Sequence, residues 1–279
     1  MIAGWEDSRR TQTLIEVTAV EALQMQNFDL ERLVRWTPGS GDRREALDVI
    51  GGGDGLVTAL EDIFQQHGVT LRMVPEARIR EFFARIVPDS LHFRTAPYAI
   101  REAILTELRE GLAIALRTWR ARGFAGLDAL MRNPPDSTEQ ILHADKLASR
   151  EPPLDVPSRA PASLASEYTL AFHDVGGELG LRMFLGGTLG DAQAVAGASG
   201  WGGDTTMLFL PAAQRPENGV WPAASFPAGI LVWTIVFDGP ARAARFDGMA
   251  RRGLVRRAGT FHPVQRSMRR FLGVGGGGR

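Results

Sequence analysis

The sequence predicts an α+β chain, with a mainly helical first half followed by a small antiparallel sheet carrying helices on one face. Three observations predict it. Apolar residues recur at helical spacing up to about residue 131. Four prolines (Pro152, Pro153, Pro157 and Pro161) then interrupt all periodicity between 148 and 165. Beyond them, short β-branched and aromatic runs alternate with helical stretches. The expected organisation is a helical region over 1–147, an extended proline-rich linker over 148–165 and an α+β region over 166–279.

Taken in order, residues 8–35 read as a helix, since Leu14, Val17, Val20, Leu23, Leu30 and Val34 roughly follow a 3.6-residue period. Thr37-Pro38-Gly39-Ser40-Gly41 breaks it. A second helical stretch runs from Asp42 to about Gln66, and Gly51-Gly52-Gly53 is expected to interrupt it. Pro75 opens a helix over 76–86 that stops before Pro88. Ile100, Ile104, Leu108, Leu112, Leu116 and Trp119 mark a long helix over 97–120, ended by Gly123. A short helix covers 127–131. Strands are expected at 168–173, 205–210 and 230–237, the last within an apolar run from Phe226 that reads as buried. Helices are expected at 178–185, 191–198 and 240–252, and 255–261 offers one further strand. Gly200 to Asp204 reads as a turn into a strand, with Trp201 packed on the sheet.

Composition excludes several chemistries. There is no cysteine, which removes disulfides, thiolate metal sites and thiol nucleophiles. The run 226–237 is far shorter than the roughly 20 residues that cross a bilayer. Met1 to Arg10 carries no apolar signal-peptide core, so the chain reads as soluble, with its compartment open. Formal net charge is zero, yet residues 241–279 hold ten arginines and one acid, Asp247. That segment reads either as a solvated basic helix and tail or as a docking face for an anionic partner. Arg251, Arg252, Arg256 and Arg257 are its candidate contacts. Nucleic acid is disfavoured, because only Phe246, Phe261 and Phe271 accompany these arginines. The glycine-rich stretch 51–55 lacks the Gly-Lys-Ser/Thr of a phosphate loop. No Gly-x-Ser-x-Gly elbow is present.

Three stretches carry a resemblance. Ala22-Leu23-Gln24-Met25-Gln26-Asn27-Phe28-Asp29-Leu30 is similar to the text following the HExxH helix in a group of bacterial zincin-like proteins, close to HELTHALQDQHFDL. The segment from Asn133 to Leu147, NPPDSTEQILHADKL, resembles the group's PPxSTEQILHPEKY segment and is the most specific mark. Gly177 to Arg182, then Gly200 to Asp204 and Trp233-Thr234, follow in the group's order. The resemblance implies a zincin-like first half and relatives that are commonly exported.

It fails where the chemistry should be. A zincin needs two histidines one turn apart and a glutamate that takes a proton from metal-bound water. Counted back from Ala22, these positions are Val17, Thr18 and Glu21; the third-ligand position is Gly52. The expectation is a pseudoenzyme without metal or other cofactor, kept as a binding or structural subunit with a protein partner. The alternative is a zinc-dependent hydrolase with a rearranged site using Glu21, Glu139 and His143. Glu139 and His143 would share a helical face and could meet a metal. The plainer reading is that Ser137 or Thr138 caps a short helix and His143 bonds to backbone.

Overall fold

The structure, a computed structural model, describes residues 9–29, 39, 41–86, 91–213, 216 and 228–258. It is α+β, with helices followed by a three-stranded antiparallel sheet. The helical part comprises α1 (Arg9–Asn27), α2 (Gly41–Gln66), α3 (Glu76–Ile86), α4 (Leu91–Thr95) and α5 (Tyr98–Thr106). A π-helical turn, Glu107–Gly111, joins α5 to α6 (Leu112–Arg122), and α7 (Phe124–Arg132), α8 (Thr138–Leu142) and α9 (Ala144–Ser149) complete it. The second part runs β1 (Tyr168–Asp174), α10 (Gly177–Leu189), α11 (Asp191–Ala198), β2 (Trp201–Pro211), β3 (Ile230–Phe237) and α12 (Pro240–Ala258). The expected continuation of α1 over 30–35 lies outside the described residues.

Two sequence expectations are corrected here. The glycines at 51–53 do not interrupt α2, which is continuous through them. Close packing explains their presence. A Cβ at Gly53 would fall 2.3 Å from the Gly111 carbonyl oxygen, and one at Gly111 would fall 2.2 Å from the Val49 carbonyl oxygen. Backbone therefore meets backbone where α2 crosses the π-helical turn, and only glycine fits. The proposed strand at 255–261 is also absent over its described part, since α12 continues to Ala258.

The helical part holds two adjoining apolar clusters. One gathers Leu56, Leu71, Phe83, Leu112, Leu116 and Trp119. The other gathers Leu47, Ile50, Ile114, Met131 and Ile141, so α8 is fixed to α2 through Ile141. A third cluster lies between the sheet and its helices, where Leu181, Leu185, Ala198, Trp201 and Phe246 meet Trp233, Ile235 and Phe237. The helices lie on this one face of the sheet.

The strand order β1-β2-β3 makes β2 central. Its register sets Phe172 against Leu208 and Leu208 against Leu231. β2 is accordingly the buried strand. β3, expected to be buried, is an edge strand with Leu231 and Thr234 exposed. The proline-rich segment crosses β2 at the bulge beside Trp201, where the Leu154 N–H donates to the Gly202 carbonyl at 2.7 Å. A Cβ at Gly203 would meet the Leu154 carbonyl oxygen at 2.3 Å, which accounts for the small residues there.

The two halves meet along a polar seam. The Gly41 N–H donates to Asp174 Oδ1 at 2.7 Å, and the Tyr98 hydroxyl donates to Asp191 at 2.8 Å. Thr138 and His143, and Lys146 on α9, also reach across it.

Candidate functional site

Two regions collect the residues singled out from the sequence. The first lies where α1 packs on α2. Gln24, 5% exposed, donates from Nε2 to the Gly51 carbonyl at 3.1 Å and to Asp54 Oδ2 at 2.8 Å. This amide fixes α1 beside the glycine run, so the helix bearing Thr18 and Glu21 does pass the helix bearing Gly52. Thr18 and Glu21 are exposed. The side chain of Val17 lies outside the described residues.

Gly52 is buried, and its side-chain space is taken. A Cβ there would fall 2.3 Å from Glu107 Oε1 and Cδ. The π-helical turn delivers Glu107 into this slot. Burial, reinforced by the neighbouring Glu21, Asp48 and Glu45 carboxylates, pushes the Glu107 carboxyl up to about 7. Among the described residues no three His, Asp or Glu side chains gather in a metal-holding arrangement. Beside this spot a cleft of about 360 Å³ opens between α1, α2 and α7. Val20, Leu23 and Phe124 line it on the apolar side, and Gln24, Asp54 and Asp128 on the polar side.

The second region is the seam around α8. Ser137 caps this helix, its hydroxyl accepting the Gln140 N–H at 3.3 Å. His143 ends the helix in an extended conformation, φ −131°. Its ring bonds across the seam rather than to backbone, with Nε2 2.8 Å from Glu178 Oε2. Glu178 is fully buried in the first turn of α10, and Arg182, one turn later, donates to its Oε1 at 2.7 Å. The hydrogen bond to Glu178 raises the His143 pKa above its ordinary value. Glu139 takes a different partner. Its Oε1 lies 3.6 Å from Lys146 Nζ and, among the described residues, has no hydrogen bond. Burial pushes this carboxyl up to about 7, against the pull of Lys146. Lys146 also reaches Glu151 and Asp238. Chemically, the His143–Glu178 pair is an imidazole oriented by a buried carboxylate, a general-base geometry.

The arginines of α12 are partly occupied. Arg251 pairs with Asp247 at 3.0 Å. Arg256 donates to the Thr188 carbonyl at 3.0 Å and Arg242 to the Ser199 hydroxyl at 3.2 Å, both at the C-terminal ends of neighbouring helices. Arg252 is exposed. The side chain of Arg257 and the arginines from Arg266 onward lie outside the described residues.

Sequence reasoning missed Asp42, Glu107 and Glu178. Glu178 and Arg182 were legible as an acid and a base four apart in an otherwise apolar helix. Glu107 carried no such signal, because it sits in an ordinary charged stretch and only the π-helical turn aims it inward. Compared with known proteins, the chain matches no family model, no curated protein and no solved structure.

Proposed function

We propose that the chain is a non-catalytic, zincin-derived scaffold acting as a binding or structural subunit of a protein assembly. The observation that carries this reading is the filled slot at Gly52. Where the resemblance places a third metal ligand there is no side chain, and the Glu107 carboxyl occupies the space one would need. A metal-binding ligand at 52 and Glu107 in its present position exclude each other. The partner would be met through the basic face of α12, with Arg251, Arg252, Arg256 and Arg257 as contacts to an acidic surface. Arg252 is the most informative of these for charge reversal, since Arg256 also holds the Thr188 carbonyl.

The second reading is a hydrolase with a rearranged site, favoured by the oriented imidazole of His143 and the raised carboxyl of Glu139. Elemental analysis of the full chain purified without chelator separates the two. The scaffold reading expects zinc well below one per chain. One zinc per chain, lost in His143→Ala, would instead support the hydrolase.

A further inference from the structure

Asp42 stands at the point where the two halves of the chain touch, in the first turn of α2 and only 3% exposed. Its Oδ1 accepts from the Thr138 hydroxyl at 2.5 Å and from the Thr138 N–H at 3.1 Å. Its Oδ2 is buried and, among the described residues, has no hydrogen-bond partner. The same Thr138 hydroxyl accepts the Leu179 N–H at 3.1 Å, so one carboxyl and one hydroxyl tie together α2, α8 and α10. Gly177 makes room for the carboxyl. It adopts φ +69°, and a Cβ there would fall 1.7 Å from Asp42 Oδ1.

The charged groups around Asp42 leave it without a counter-ion. On its own helix stands Glu45. From the end of β1 comes Asp174, bonded to the N–H groups of Gly41 and Val175. From β2 comes Asp204, which takes the N–H groups of Gly176 and Gly177. On α8, Glu139 turns to Lys146; beyond it, His143 turns to Glu178 on α10, which also holds Arg182. Arg43 lies toward Asp136. Among the described residues no cation pairs with Asp42. An ionised carboxylate with a bare buried oxygen, set among other carboxylates, is costly, and the protonated form much less so.

We propose that this joint is a proton-operated clasp: Asp42, protonated on Oδ2, holds α8 and α10 against α2, and release of that proton to water loosens the seam between the helical and sheet halves. Burial, the first cause, pushes the Asp42 carboxyl up to about 7, with Asp204 and Glu45 adding to it against the Thr138 bonds. An acid raised in the folded state lends stability that is complete below its unfolded value, about 4, and lost as pH rises through about 7. The clasp therefore works across the range from mildly acid to neutral. It does not depend on whether the chain is catalytic.

Hydrogen exchange of the full chain at pH 5 and pH 8, corrected for the intrinsic rate, tests the proposal in wild type and Asp42→Asn. Asparagine keeps a carbonyl oxygen for Thr138 and cannot ionise. In wild type, protection of peptides spanning 136–142 and 176–182 is expected to fall by at least about tenfold between the two pH values, while the core of α6 changes little. In Asp42→Asn the fall is expected to be markedly smaller, with only the share of Glu139 and His143 remaining. Unchanged wild-type protection, or the same fall in Asp42→Asn, would overturn the clasp. Should the variant fail to fold, the Asp42 carboxyl carbon is titrated by NMR in wild type. A midpoint near neutrality supports the proposal, and one near the ordinary value of about 4 overturns it.

Discussion

Asp204 shows how much one residue can hold in this chain. It is 2% exposed and accepts four N–H groups: Trp201 Nε1 at 2.9 Å, Trp233 Nε1 at 2.7 Å, and the backbone of Gly176 and Gly177 at 2.9 Å each. Those bonds engage both carboxyl oxygens and fix the start of α10 against the sheet. Asp204→Ala would leave two indoles and two amides unpaired in the interior. A loss of about 3–5 kcal/mol is expected in urea unfolding; a loss under 1 kcal/mol would mean that the hub is ornamental. The packing of Trp201 on the sheet was legible in the sequence, because an aromatic after Gly200 and before a β-rich run has few other places to go. The role of Asp204 was not. Its partners Gly176 and Trp233 lie 28 and 29 residues away in opposite directions, and no local pattern joins them.

At the scale of elements, periodicity and punctuation carried far. Proline and glycine placed the breaks before α3 and after α6, and β-branched runs placed all three strands within a few residues. The error at Gly51-Gly52-Gly53 has a plain cause. Low helix propensity argues for a break, but here the tertiary contact that requires glycine also holds the helix. The crossing partner, the π-helical turn at 107–111, leaves no mark in an otherwise regular apolar stripe. Two glycine substitutions distinguish packing from propensity. Gly53→Ala drives a methyl into the Gly111 carbonyl and is expected to cost about 1–3 kcal/mol or more. Gly180→Ala, in α10 with nothing within 4 Å, is expected to gain about 0.5–1 kcal/mol. Thermal unfolding of both variants checks the contrast, and equal effects would contradict the close crossing.

For the molecule as a whole, the buried acids set an unusual pH response. Asp42, Glu107 and Glu139 are each pushed up to about 7, with burial as the first cause in every case. His143 is raised by its bond to Glu178. All four shifts act in one direction. The stability they supply is complete below the unfolded values and is lost as pH rises through the folded ones. Calorimetry should therefore show a higher Tm at pH 5.5 than at pH 8.5. A flat or rising Tm over that interval would mean that these groups are paired or solvated in a way the geometry does not provide. The seam that concentrates this behaviour was only half legible. The NPPDSTEQILHADKL segment stood out, and Ser137 was readable as a cap, but the sequence gives no hint that His143 would reach Glu178, 35 residues on.

The proposed reading, a zincin-derived scaffold without a metal, is tested most directly by calorimetric titration of zinc into the metal-free full chain. No saturable one-to-one uptake is expected in wild type. One-to-one binding that disappears in Glu107→Gln would place a working metal beside Gly52 and contradict the account.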